Sequence, residues 1–230
     1  MNNFLPNFNF KNIDSNATNL LTCPDQYVSS YVMGMTSLTE NRDSISYNFD
    51  KKGNPTCDNK RENTIAIILE SPHTDEFEII NSAFVPKGPL VAKWNDFSNN
   101  FDIAIQHSKI KSVLIGGMNY ELAFVNMVQY QCSLGNSLSG KNSYQKEKNQ
   151  NVINCWYNGF NVDLEKRLIA MNPSVILVLC GKDFCKNVTS MLAGNKTLCQ
   201  ITTATGKHPA YWKHEINTAN KKHIQPRLID

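Results

Sequence analysis

The sequence predicts an α/β fold, with helices covering both faces of a mostly parallel central sheet. Strand-like runs recur at Thr64–Leu69, Leu122–Val128, Ser174–Leu179 and Leu198–Thr203, the first three of them mainly apolar. Uninterrupted Ile, Val and Leu runs mark strands buried on both faces. Helix-like segments lie between these runs, the alternation that builds a parallel sheet flanked by two helical layers. A chain of 230 residues suits one compact domain with a substantial core.

Along the chain, residues 1–62 are polar, rich in Asn, Ser, Thr and Asp, and weakly periodic, with a turn signal at Gly53-Asn54-Pro55. They are predicted to wrap the domain formed by residues 63–230, using short helices and loops. Thr64–Leu69 is the first main strand. A loop with three prolines runs from Glu70 to Leu90. Trp94, Phe97, Phe101 and Ile105 share a helical face, so Trp94–His107 reads as helix. Lys111–Ile115 is a short strand or a helix end, broken by Gly116-Gly117. Leu122–Val128 is the second strand, and the polar stretch from Ser133 to Asn151 is an exposed loop. Val162–Met171 is a helix with Leu164, Leu168 and Met171 on one face, ended by Asn172-Pro173. Ser174–Leu179 is the clearest strand, Asp183–Leu192 a helix, and Leu198–Thr203 the last strand. A loop, Gly206–Trp212, follows it.

Hydrophobic residues make up 41% and charged residues 19%, ordinary for a soluble protein. No apolar run reaches the ~20 residues that span a bilayer. Residues 1–11 lack the basic start and apolar block of a signal peptide, so a cytoplasmic protein is expected; a monomer without membrane contact is a separate expectation. Seven cysteines, an odd number without disulfide-like spacing, read as reduced thiols. The absence of a C-x-x-C pair leaves an ordinary zinc finger unsupported. The net charge is +3, and the basic residues are concentrated late. From Lys182 onward, Lys186, Lys196, Lys207, Lys213, Lys221, Lys222 and Arg227 are opposed only by Asp183, Glu215 and Asp230. Such a region either follows a phosphate backbone or is a solvated basic surface.

In parallel sheets ligands sit at the carboxyl ends of strands. Glu70, Gly181 and the Gly206–Trp212 loop each follow a strand there, and Asn126 lies late in its strand. These groups suit cleavage of a pyrimidine N-glycosidic bond, which develops positive charge on the sugar and negative charge on the departing base. His208 can donate to a base carbonyl oxygen and stabilise the anion, as an oxyanion-hole donor does for roughly 2.7–4 kcal/mol. The Asn126 amide offers a donor and an acceptor to a base edge. Phe84, on a Pro- and Gly-rich loop, can stack on a base for ~1–3 kcal/mol. Glu70, with Ser71 beside it, can orient water and stabilise a cationic sugar; Asp75 is a second candidate. Tyr211 and Trp212 can wedge into the minor groove while Lys207 and Lys213 hold phosphates. Each residue also has a structural reading. His208 can be a surface histidine, Asn126 a backbone-satisfied core amide, Phe84 a core anchor, Ser71 a turn cap, and the Tyr211-Trp212 pair a packed loop end.

Taken in order, these segments resemble the uracil-DNA glycosylase superfamily. Leu69-Glu70-Ser71-Pro72-His73 is similar to that family's strand followed by Gly-Glu-Ala-Pro-Gly. Phe84-Val85-Pro86-Lys87-Gly88-Pro89-Leu90 resembles its Phe-Val-Gly-x-Ala-Gly-x-Leu segment, and Val125-Asn126-Met127-Val128 its Thr-Asn-Val-Val strand. Leu164–Gly181 resembles its helix, proline and Val-Ile-Val-Ala-Leu-Gly strand; His208-Pro209-Ala210-Tyr211 resembles its His-Pro-Ala-Tyr ending. The likeness covers roughly residues 64 to 215. It implies a three-layer α/β/α fold on a four-stranded sheet and a monofunctional DNA glycosylase that flips a base from DNA and leaves an abasic site. It puts Glu70 and Ser71 at the hydrolytic water, Phe84 on the base, Asn126 at its edge and His208 at the leaving base.

The departures are informative. Ser71 stands where one branch has Asp. Other branches hold an iron–sulfur cluster on four cysteines that include a C-x-x-C. This chain lacks that pair, and only convergence of Cys23, Cys57, Cys132 and Cys155 would supply a cluster, so no cofactor is expected. His73 replaces the residue that faces the C5 side of the base. With the Ser133–Asn151 insertion, it points to a modified pyrimidine, such as a C5-hypermodified cytosine of phage DNA, alongside uracil. The setting is then antiviral defence or base-excision repair. The alternatives are a catalytically inactive nucleic-acid-binding module of the same fold and a hydrolase of free nucleosides or nucleotides.

Overall fold

The computed structural model describes residues 23–51, 53–72, 77–80, 83–89, 93–129, 149–209, 212 and 228–229. The first half of the chain contributes strands β1 (Gln26–Tyr31), β2 (Asp43–Ser44), β3 (Tyr47–Phe49), β4 (Pro55–Cys57), β5 (Thr64–Leu69), β6 (Phe77–Ile80) and β7 (Ala83–Pro86). Helices α1 (Trp94–Ser98) and α2 (Phe101–Gln106) precede β8 (Tyr120–Asn126). Helical residues 149–155 (α3) lead through a π-turn, Trp156–Phe160, into α4 (Asn161–Met171). Then come β9 (Val175–Val178), α5 (Gly181–Gly194), β10 (Thr202–Gly206) and β11 (Leu228–Ile229).

Among the described residues the main sheet has seven strands in the order β11-β10-β9-β5-β8-β1-β2. Its centre, β10-β9-β5-β8, is parallel throughout. The mixed α/β architecture with a parallel central block is therefore present. The expected four-stranded sheet needs correction, because β11 pairs antiparallel at one side and β1 and β2 at the other. Strand β1 comes from the segment expected to form wrapping helices and loops. Its run Gln26-Tyr27-Val28-Ser29-Ser30-Tyr31 is buried except at Ser30. It escaped the apolar pattern because two of its buried side chains, Gln26 and Ser29, are polar. Ser29 is satisfied locally, its hydroxyl donating to the Thr39 carbonyl at 2.8 Å.

The two faces of β5 show how the layers form. Ala66 and Ile68 pack with Leu164 and Leu168 of α4 and with Phe184 and Val188 of α5. Ile65, Ile67 and Leu69 point the other way, into a cluster with Phe97, Phe101 and Ile105 of α1 and α2. This is the period-two alternation of a strand buried on both sides. No helix among the described residues is long and apolar enough to cross a membrane.

Several local expectations shift. The Glu70–Leu90 loop contains the antiparallel hairpin β6–β7. The Trp94–His107 helix is broken into two. Asn100 donates its side-chain amide to the Asp96 carbonyl at 2.7 Å, a local bond that competes with helix continuation. At Lys111–Ile115, expected as a short strand or a helix end, Lys111 and Ser112 close a 3-10 helix, Lys109–Ser112. The last strand starts later than expected. Asn195 accepts from the Thr197 and Leu198 amides, both at 2.9 Å, and folds Leu198–Gln200 into a 3-10 turn. The strand then forms on the β-branched run Thr202-Thr203.

Candidate functional site

The parallel block reads, in chain order, second-first-third-fourth. Sheets of this kind open a ligand crevice at the carboxyl ends of the strands where the order reverses, here between β5 and β9. Both sides of that point carry site residues. The ladder continues past the ends of β5 and β8: Met127 donates to the Leu69 carbonyl at 2.8 Å and Val128 to that of Glu70 at 3.1 Å. Leu69 lies in register with Asn126. Glu70, Ser71 and Asn126 are therefore side by side. On the β9 side, Gly181 opens α5 at φ +33, and a Cβ there would sit 3.2 Å from Glu70 Oε2. A side chain at 181 would crowd the carboxylate. Burial, then the neighbouring Cys185 and Glu70, push the Cys180 thiol up, so this cysteine stays protonated.

Asn126 is 1% exposed, and among the described residues neither Oδ1 nor Nδ2 has a hydrogen-bond partner. The Ser71 hydroxyl is in the same condition. Each buried polar group left this way costs about 1–3 kcal/mol, and such groups are rare enough in native proteins to require an explanation. A ligand edge that completes their bonds supplies one.

The Asn126 backbone, by contrast, is held tightly. Its N–H donates to Asp25 Oδ1 at 3.3 Å, and its carbonyl accepts from Arg167 Nη2 at 3.0 Å. Arg167 Nη1 meets Asp25 Oδ2 at 2.7 Å, and Nε meets Asp163 at 2.8 Å. Tyr47 adds a hydroxyl donated to Asp25 Oδ2 at 2.9 Å. Arg167 is 2% exposed and Asp25 is fully buried. Burial opposes the Arg167 charge, but Asp25 and Asp163 outweigh it and hold the guanidinium above the ordinary arginine range. Burial and the adjacent Asp25 push the Tyr47 phenol well up. Sequence reasoning missed Asp25 and Arg167. One signal was available: Arg167 shares the α4 face of Leu164, Leu168 and Met171, and a charge on an apolar helix face needs a buried partner.

Phe84 belongs to strand β7, opposite Ile79 of β6, and not to an open loop. The exit of that hairpin is anchored at the same sheet edge. Gly88 has φ +119, and a Cβ there would lie 1.9 Å from Gln26 Oε1. Arg42 Nη1 donates to the Pro89 carbonyl at 2.8 Å and to Gln26 Oε1 at 3.1 Å. The Arg42 guanidinium also lies 5.7 Å from the Trp94 ring centroid.

His208 is partly buried, two residues beyond β10, and Lys207 beside it is exposed. Strands β10 and β8 are three spacings apart, about 14 Å, so His208 and Asn126 sit toward opposite ends of the edge. Trp212 requires a correction. It is 1% exposed and lies 5.7 Å from the Phe97 ring in a stacked arrangement. Its Nε1–H donates to the Lys207 carbonyl at 3.1 Å. The side chain pins the loop to the core and is not the exposed wedge expected. His73, Asp75, Tyr211 and Lys213 lie outside the described residues, as does Cys132. Among the described residues Cys23, Cys57 and Cys155 form no disulfide. Among the described residues no three His, Cys, Asp or Glu side chains gather as a metal site. Compared with known proteins, the chain matches no family model, no curated protein and no solved structure.

Proposed function

We propose that this chain is a monofunctional DNA glycosylase of the uracil-DNA glycosylase type. On this reading it hydrolyses the N-glycosidic bond of a flipped-out pyrimidine. The observation that carries the reading is the Asn126 amide, buried at the carboxyl edge beside Glu70 and Ser71 with both polar atoms unpartnered among the described residues. The ordered motifs support it. Asn126 pairs with the base edge, and Phe84 stacks on its face. As the bond breaks, the His208 imidazole donates to the base carbonyl oxygen that gains negative charge. The Glu70 carboxylate stabilises the sugar cation and, with the Ser71 hydroxyl, orients the attacking water. Lys207 contacts a phosphate.

The substrate class is a pyrimidine altered from the normal DNA set: a C5-modified cytosine of phage DNA or uracil. The acting context is antiviral defence or base excision in the cytoplasm. Duplexes carrying each base, incubated with the protein and then cleaved with alkali at abasic sites, test the reading. Cleavage of one duplex, lost in His208→Ala, is expected. Ser71 in place of the aspartate of one branch favours a second reading, a binding module without chemistry. DNA retention with no abasic sites in either duplex selects that reading.

A further inference from the structure

We infer that the buried Asp25–Arg167 pair is a positioning device that aims the Asn126 amide at its ligand. The inference rests on the reading of Asn126 as the base-edge reader. Strand β1 pairs antiparallel with β8, with Gln26 opposite Phe124 and Tyr27 opposite Ala123. Continued two residues, that register puts Pro24 opposite Asn126. A proline has no N–H to give to the Asn126 carbonyl, so on the β1 side the ladder leaves that carbonyl without a backbone donor. Side chains hold the residue there: Asp25 takes the Asn126 N–H and Arg167 gives to its carbonyl. Arg167 is fixed in turn by Asp25 and Asp163. Its planar fork makes three directed bonds at once, which a lysine cannot do. Both ends of the Asn126 backbone are thus gripped by opposite charges, while its amide is left for a ligand. The grip crosses three parts of the chain: the start of β1, the end of β8 and the middle of α4. Arg167 and Asp25 touch the backbone of Asn126 and need no contact with substrate.

A double-mutant cycle on the full chain tests this, using whichever of the two duplexes above the wild type cleaves. Arg167→Lys is expected to remain folded by its thermal transition and to lower kcat/KM about 10²-fold, the scale of a 1 Å misplacement. In an Asn126→Ala background the same change is expected to cost little more, because Arg167 acts through Asn126. Equal losses in both backgrounds overturn the inference, since a general structural role is additive. If Arg167→Lys does not fold, Asp25→Asn takes its place in the cycle. A second readout needs no activity. The side-chain amide signal of Asn126 in a ¹⁵N–¹H spectrum, identified by its absence from Asn126→Ala, is expected to shift or broaden in the Arg167 variant. An unmoved signal overturns the positioning role even if no base is released. No base release alongside a moved signal overturns only the glycosylase reading.

Discussion

The two ends of the candidate site are held by different physics. At the Asn126 end, a ladder that runs past β5 and β8 and a fully buried charge pair fix the backbone. At the His208 end, Trp212 stacks on Phe97 and donates its indole N–H to the Lys207 carbonyl. Directed polar bonds set an orientation and tolerate little movement. An apolar anchor sets a position and leaves the rest of its loop to adjust. A group that reads a base edge needs the first kind of support. On the proposed reading, the second serves a loop that settles against a nucleic-acid backbone.

That contrast can be broken at either end. Arg167→Ala leaves Asp25 buried and uncompensated, so the largest loss of stability is expected there, about 3–5 kcal/mol by urea unfolding. Trp212→Ala is expected to cost about 3 kcal/mol through the cavity beside Phe97. It also frees the loop, so kcat/KM on duplex DNA falls while the Asn126 amide signal stays in place. Movement of that signal would show that the two ends are not separately held. The pH dependence sharpens the same point. The folded-state pKa of Tyr47 is raised above its ordinary value of 10.0 by burial and by Asp25. Its proton is therefore kept in the folded state and given up in the unfolded one as pH rises past about 10. Stability from this group is complete below that pH and lost above it. Tyr47→Phe is expected to flatten the alkaline decline in a urea series from pH 8 to 11, and an unchanged decline would place its cause elsewhere. The smallest effect belongs to exposed Lys207. Lys207→Ala is expected to weaken DNA binding uniformly across sequences and to lower the salt slope by about 1.

Legibility in the sequence followed the same division. Strands β5 and β9 are continuous apolar runs and were readable as such, as was the end of α4 at Asn172-Pro173, where Asn172 takes the left-handed conformation at φ +51. Strand β1 was not readable, because the tertiary structure buries Gln26 and Ser29 beside apolar neighbours. In the Trp94–His107 segment the helical period is legible and the break is not, since Phe97 and Phe101 keep one face while an Asn100 side-chain bond competes with continuation of the first helix. Within the site, Asn126 stood out as an amide in an apolar strand. Asp25 and Arg167 are 142 residues apart, and their pairing emerges only when β1 joins the sheet. Trp212 misled for the opposite reason. An aromatic between two lysines at the end of a loop reads as exposed, whereas a pocket beside Phe97 makes it core.

The most direct test of the account is mass spectrometry of the free base released by wild type and by Asn126→Ala. The substrates are two DNAs, one containing uracil and one containing C5-modified cytosine. The wild type is expected to release a pyrimidine from one of them, and Asn126→Ala to release it at least about 10²-fold more slowly, the cost of removing a group built to pair with the substrate edge. Release by Asn126→Ala at the wild-type rate, or no released base from either DNA, would contradict the proposed function.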